Sequence, residues 1–337
     1  MFKFPPKINI AQLPTPINRL SSLSEEWGID LRVKEDDLTG SGLSGNKIRK
    51  LEYLLSEAIE QGCDSIITCG ATTSNHVRAT VIAAKRLGLS SSLILAGDQP
   101  EKAHGNLLLD LLVGAQVKYI SSRDYSTKIE EILQDEKEYL ESLGKKPYVI
   151  PTGGSNSVGL VGYVEAVQEM QKQCDASGWK PDIVVCAFGS GGTYAGLYLG
   201  NHLFPLTQRI LGVLVYGSVE PFTQKVITEI NEACKRHDIS APSFDQIELI
   251  DGYYCEAYAK TNSEHLRFIR HVAEVEGIIL DPVYTGKAMF GLHEEIKKNH
   301  IAKNAKVLFI HTGGIFGWSV FTEEASREWA SMNHWED

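Results

Sequence analysis

The sequence predicts an α/β protein built on open, twisted, mostly parallel sheets flanked by helices. Short β-branched runs at 65–69, 92–95, 117–120, 148–150, 183–188, 211–216 and 307–311 read as buried strands. Stretches of helical length lie between them, at 47–61, 75–87, 125–143, 159–173, 194–202, 224–236 and 264–276. The first of these sets the pattern: Ile48, Leu51, Leu54, Leu55, Ala58 and Ile59 recur at helical spacing and make one apolar stripe. Strand–helix alternation of this kind builds parallel sheets covered on both faces. Four of the strands run into glycine-containing loops: Cys69-Gly-Ala-Thr-Thr-Ser-Asn75, Pro151-Thr-Gly-Gly-Ser155, Phe188-Gly-Ser-Gly-Gly-Thr193 and His311-Thr-Gly-Gly314. Ligands of such sheets bind beyond the carboxyl ends of the strands, so the four loops are expected to line one cleft.

Composition narrows the function. The 337 residues suffice for about two domains or one large α/β unit. A net charge of −10 with no basic run disfavours nucleic acid as a partner. No apolar run approaches the roughly 18 residues of a membrane span, and Met1–Lys7 has no apolar stretch behind it, so neither a membrane partner nor a secretory signal is expected. The six cysteines are scattered without a C-x-x-C pair, which suits reduced thiols in a cytoplasmic protein. The ten histidines are dispersed, and His293-Glu-Glu-Ile-Lys297 lacks the second histidine of a zinc helix, so no catalytic metal is expected.

Gly189-Ser-Gly-Gly-Thr-Tyr-Ala-Gly196 joins a strand to a helix beginning near Thr193. Glycines let backbone amides approach an anion, and the helix start adds donors and a favourable dipole. Tyr194 stands where a dinucleotide fingerprint needs its third glycine, so one phosphate monoester fits better than a dinucleotide. The plainer alternative is a tight turn in which glycine only permits packing. In Ser44-Gly-Asn-Lys-Ile-Arg-Lys-Leu-Glu52, Asn46 reads as a helix cap and Lys47 as the first helical residue. The helix dipole there favours a neutral amine, which can form a Schiff base with an aldehyde. Otherwise Lys47 is a solvated helix lysine, as Arg49 and Lys50 are expected to be. Ser74, Asn75 and His76 open the next helix and either cap it or receive a carboxylate. Tyr284, in the turn Asp281-Pro-Val-Tyr-Thr-Gly-Lys287, is core filler or an acid–base phenol. Phe316-Gly-Trp318 either shapes the pocket or packs.

A lysine for an aldehyde, a cradle for one phosphate and a serine–asparagine loop for a carboxylate together describe a pyridoxal phosphate site acting on an amino acid. The chain here resembles the fold-type II pyridoxal phosphate enzymes, tryptophan synthase β-like, of the D-cysteine desulfhydrase and 1-aminocyclopropane-1-carboxylate (ACC) deaminase group. The motifs are Lys34-Glu-Asp-Asp-Leu38, Gly45-Asn-Lys-Ile-Arg-Lys-Leu-Glu-Tyr53, Ser74-Asn-His-Val-Arg78, Asp281-Pro-Val-Tyr-Thr-Gly-Lys287 and Phe309-Ile-His-Thr-Gly-Gly314, and the resemblance runs from about 13 to 317.

The resemblance implies that Lys47 carries the cofactor, that Asn75 bonds its ring hydroxyl, and that Ser190, Gly191, Gly192 and Thr193 hold its phosphate. It puts Ser74, Asn75 and His76 at the substrate carboxylate, and Tyr284 at the ring and substrate. Tyr258, in Ala257-Tyr-Ala259, stands for an active-site tyrosine that relatives carry between glycines. It further implies a small domain at 52–163 inserted into a larger one at 1–51 and 164–337, and a homodimer. It places Thr285 and Thr312 at the cofactor, where ACC deaminases look to have glutamate and leucine. The threonine pair favours β-elimination of D-cysteine to pyruvate, hydrogen sulfide and ammonia. ACC deamination, another β-elimination such as that of cysteate, and a non-catalytic binder of cofactor or amino acid are the alternatives.

Overall fold

The computed structural model describes residues 2–255 and 259–330. The chain opens with β1 (Ile17–Arg19), α1 (Ser21–Trp27) and β2 (Asp30–Glu35), followed by α2 (Lys47–Glu60). Next come β3 (Ser65–Ala71), α3 (Asn75–Arg86), β4 (Ser90–Ala96), α4 (Gly105–Leu112), β5 (Gln116–Ile120), α5 (Ser122–Ser142) and β6 (Pro147–Ile150). After α6 (Val161–Ser177) the alternation continues through β7 (Ile183–Phe188), α7 (Gly192–Leu203), β8 (Arg209–Leu214), α8 (Val219–Arg236) and β9 (Glu248–Ile250). The described chain closes with α9 (Ser263–Glu276), α10 (Thr285–Lys297), β10 (Lys306–His311) and α11 (Thr322–Ala330).

Among the described residues the strands form two sheets, one ordered β1-β2-β10-β7-β8-β9 and the other β5-β4-β3-β6. Every pairing is parallel except that of β1 with β2. The smaller sheet uses strands from one continuous stretch, whereas the larger draws β1 and β2 from before it and the rest from after it. Both faces of the larger sheet are covered, as parallel sheets require. Val184 and Leu308 point into one apolar cluster with Leu51, Leu54 and Tyr163 from α2 and α6. Their chain neighbours Val185 and Phe309 point into another with Leu23, Leu31 and Leu292. The smaller sheet does the same: Ile67 and Ile94 meet Leu133 and Leu140 of α5, while Leu93 and Leu95 meet Val77, Val81 and Leu107.

All seven strands expected from β-branched runs are present, within two residues at each end. β1, β2 and β9 escaped because two are three residues long and β2, Asp-Leu-Arg-Val-Lys-Glu, alternates apolar with charged side chains. The charge on β2 is buried where it matters, since Lys34 is 1% exposed. Helix α8 begins five residues earlier than expected. Pro221 lies in its first turn, where a missing N–H breaks no helical hydrogen bond.

Candidate active site

A cavity of about 500 Å³ lies between the two sheets, at the carboxyl ends of β3, β6, β7 and β10. Its floor is knitted from two of the glycine loops. Ser155 Oγ hydrogen-bonds Ser190 Oγ at 2.7 Å and accepts the Gly192 N–H at 3.1 Å. A Cβ on Gly153, whose φ is +69°, would stand 2.0 Å from Ser190 Oγ, so this crossing demands glycine. Ser190, Gly191 and Thr193 line the cavity at the start of α7, with Gly192 behind them. Asn46 Nδ2 donates to Thr193 Oγ1 at 2.9 Å, tying the cradle to the start of α2. That bond replaces the expected cap: the Asn46 side chain makes no capping bond to α2, and its own backbone is already helical.

Lys47 is the first residue of α2 and opens onto the cavity beside Thr312 and Gly313. Burial lowers its amine to about 8. Removal of the ammonium from water does what the sequence reading assigned to the helix dipole. The close approach of the two backbones fixes the lysine. Asn46 N donates to Thr312 O at 3.1 Å, and a Cβ on Gly45, at φ +114°, would stand 2.8 Å from that same oxygen.

Arg49 and Lys50 are not solvated. They are 1% and 0% exposed. Arg49 pairs with Asp36 and Glu169. Lys50 Nζ donates to Gly153 O and Ser155 Oγ, both at 3.1 Å, directly beneath the Gly192 cradle. Burial and the neighbouring Lys47 push the Lys50 amine well below its ordinary range. The signal in the sequence was the spacing: residues 47 and 50 share one helix face. Lys50 thus braces the two loops that make the cradle. Lys50→Met leaves Gly153 O and Ser155 Oγ without this donor and is expected to weaken pyridoxal phosphate about tenfold, the scale of one buried acceptor left unpaired. Equilibrium titration checks it against pyridoxal without the phosphate, whose binding should be unchanged.

Ser74 caps α3, its Oγ accepting the Val77 N–H at 3.2 Å, and lines the cavity with Asn75 and His76. The His76 ring faces inward, 2.9 Å from Thr68 Oγ1, and burial with the two lysines holds it well below its ordinary pKa. What residue 76 can offer a carboxylate is therefore its backbone N–H in the first turn of α3. Tyr284 is aimed by Asp281. One carboxylate oxygen accepts the N–H groups of Val283 and Tyr284, the other accepts both the N–H and hydroxyl of Thr285. Tyr284 lines the cavity and leans on Gly189, where a Cβ would meet its ring at 3.1 Å. Thr285 departs from the expectation. It is fully buried, its hydroxyl is spent on Asp281, and it does not line the cavity. Thr312 does line it. Tyr258 lies outside the described residues. Phe316 stacks over Arg78 and Trp318 donates to Leu280 O, so both pack rather than line the cavity.

Sequence reasoning missed Ser155, Tyr125 and Tyr216, which floor or line the site. Ser155 had a signal in its Gly-Gly loop; the tyrosines lie on a helix and past a strand end with none.

Among the described residues no aspartate or glutamate lines the cavity. A cleft free of carboxylates, with a glycine cradle and a buried amine, suits a phosphate ester bearing an aldehyde. The family model described as pyridoxal-phosphate dependent enzyme matches residues 8–313. The chain belongs to this family. It falls in the group of ACC deaminases and D-cysteine desulfhydrases. A putative ACC deaminase of Pyrococcus abyssi is 42% identical, over 95% of this chain and 94% of its own. A bifunctional D-cysteine desulfhydrase/ACC deaminase, mitochondrial, of Arabidopsis thaliana is 43% identical, over 92% of this chain and 78% of its own. A crystal structure of an ACC deaminase homologue superposes with a TM-score of 0.88 at 41% identity, covering 96% of each chain. The cofactor of the family is pyridoxal phosphate, and Ser190, Gly191 and Thr193, which line the cavity at the start of α7, fit its phosphate.

Proposed function

We propose that the protein is a D-cysteine desulfhydrase, which with water converts D-cysteine to pyruvate, hydrogen sulfide and ammonia. The observation that carries this is the absence of a carboxylate from the cavity lining among the described residues, with Thr312 at the end of β10 instead. Bound pyridoxal phosphate supplies the electron sink that loosens bonds at the α-carbon of an amino acid. Thr312, if it met the ring nitrogen, would leave that sink moderate, which would suffice when sulfide is the leaving group. Opening a cyclopropane, with no α-hydrogen to remove, calls on a stronger sink of the kind a carboxylate at the ring nitrogen gives.

The remaining work falls to side chains. The neutral Lys47 Nζ takes the α-proton, and the first-turn N–H groups of α3 with Ser74 and Asn75 hold the substrate carboxylate. Ser190, Gly191, Gly192 and Thr193 grip the phosphate, and Tyr284 and Tyr258 supply phenols at the substrate. Residues 52–163, which carry the smaller sheet, act as the small domain and close on 1–51 and 164–337 to exclude water. The enzyme works as a cytoplasmic homodimer; six scattered cysteines without a C-x-x-C pair suit that reducing compartment.

The test is a side-by-side assay on the cofactor-loaded protein, following sulfide and pyruvate from each cysteine enantiomer and 2-oxobutyrate from ACC. Sulfide and pyruvate from the D-isomer are expected. 2-Oxobutyrate without sulfide would turn the reading to ACC deaminase, the name the Pyrococcus abyssi relative carries as putative. Thr312→Leu, which removes the cavity-lining hydroxyl, is expected to lower sulfide release at least about tenfold, the worth of one catalytic hydrogen bond. Unchanged release would remove the ring-nitrogen argument.

A further inference from the structure

We infer that Asn106, itself held by Arg78, is a positioning residue that fixes which end of the Asn75 carboxamide meets the cofactor. The inference rests on the assignment of Asn75 to the ring hydroxyl and adds the pair that orients it, neither of which lines the cavity.

An asparagine side chain has a donor end and an acceptor end of the same shape, so its orientation is set by its partners. Arg78 settles it here, because a guanidinium only donates. Arg78 Nε donates to Asn106 Oδ1 at 2.9 Å. Asn106 Nδ2 therefore faces the other way, donating to Thr73 O at 2.7 Å and to Asn75 Oδ1 at 3.0 Å. Both N–H donors of the amide are then used, and Asn106 is 1% exposed, so water does not compete. With its oxygen taken, Asn75 can present only its NH₂ to the cavity, a donor suited to a phenolate oxygen. Arg78 is fully buried and also donates to Gly42 O and, at 2.7 Å, to Ser44 O, in the loop that leads to Lys47. One guanidinium thus ties the Asn75 side of the cleft to the Lys47 side.

Asn106→Asp keeps the size and the acceptor for Arg78 but removes both donors. Asn75 then turns its NH₂ to the new carboxylate and its carbonyl oxygen to the cofactor. Pyridoxal phosphate affinity is expected to fall about tenfold, the scale of one exchanged hydrogen bond, and the visible absorption band of the bound cofactor to shift. Asn75→Ala should shift the band likewise, and adding Asn106→Asp to it should change nothing further. A cofactor analogue lacking the ring hydroxyl should bind wild type and Asn106→Asp equally. Asn106→Ala, a smaller change whose folding is followed by thermal melting, should move band and affinity in the same direction by less. A band and affinity unchanged in Asn106→Asp, while Asn75→Ala shifts both, would overturn the inference alone. An unchanged band in Asn75→Ala would overturn it together with the assignment of Asn75.

Discussion

Lys47→Ala is expected to abolish turnover and the covalent capture of the cofactor. The amine is singular in its surroundings: it opens onto the cavity from the first turn of α2, and burial has brought it to about 8. Only the neutral amine attacks an aldehyde, and its fraction grows about tenfold for each pH unit below the pKa. Capture of pyridoxal phosphate by the apoprotein should therefore accelerate with pH up to about 8 and level there, where an ordinary lysine would keep rising to about 10.5. Losing a proton-transfer group costs roughly 10²–10⁴-fold, and losing the covalent anchor adds to that. Borohydride reduction followed by mass measurement should add one cofactor mass to wild type and none to Lys47→Ala. Substantial residual sulfide release, or capture by the variant, would move the role to another lysine. Lys50→Met should still be captured once the cofactor is raised to saturate its weakened site, because the Lys50 amine lies beneath the cradle rather than inside the cavity.

What the sequence could and could not say follows from the range of the forces involved. Strands such as 183–188 and the stripe from Ile48 to Ala58 are local patterns repeated by a buried sheet and a buried helix face, and they were read closely. The glycine loops were legible because glycine at φ +69° or +114° answers a steric demand that no other residue meets. Burial of charge was not legible. Arg49 and Lys50 look like solvated helix residues until Asp36, Glu169, Gly153 and Ser155 arrive from other parts of the chain. Thr285 misled for a related reason: its chain neighbour Tyr284 faces the cavity, while its own hydroxyl turns back to cap with Asp281. His76 does line the cavity, but the hold of Thr68 on its ring comes from β3 and could not be read from the loop itself.

Arg49→Ala is expected to be the most damaging change to stability away from the cavity. Its guanidinium is bidentate to Asp36, with Nε and one terminal nitrogen each 2.8 Å from a carboxylate oxygen, and it reaches Glu169 twice at 3.0 Å. Tyr163 also donates to Asp36, and Lys34 to Glu169. Removing one partner from a buried pair leaves an uncompensated charge, which costs about 3–5 kcal/mol. Burial alone would raise the Asp36 carboxyl; Arg49 and then Lys34 bring it below its ordinary value. A carboxyl depressed in the folded state contributes stability that is present above the unfolded value near 3.8 and lost as pH falls through the folded one. Without Arg49 the burial effect prevails and the sign reverses, so protonating Asp36 on acidification restores stability to the variant. The gap between wild type and Arg49→Ala should therefore be widest near pH 7 and narrow toward pH 4. Denaturant titrations at several pH values, with saturating cofactor throughout, measure it. A gap below about 1 kcal/mol would mean that the pair is screened by water. A gap that held constant with pH would mean that Asp36 is not the group left stranded. The ion pair also accounts for two motifs at once, since Asp36 belongs to Lys34-Glu-Asp-Asp-Leu38 and Arg49 to the turn that begins at Lys47. What Arg49 holds in place is the start of α2, and with it the position of the Lys47 amine at the mouth of β10.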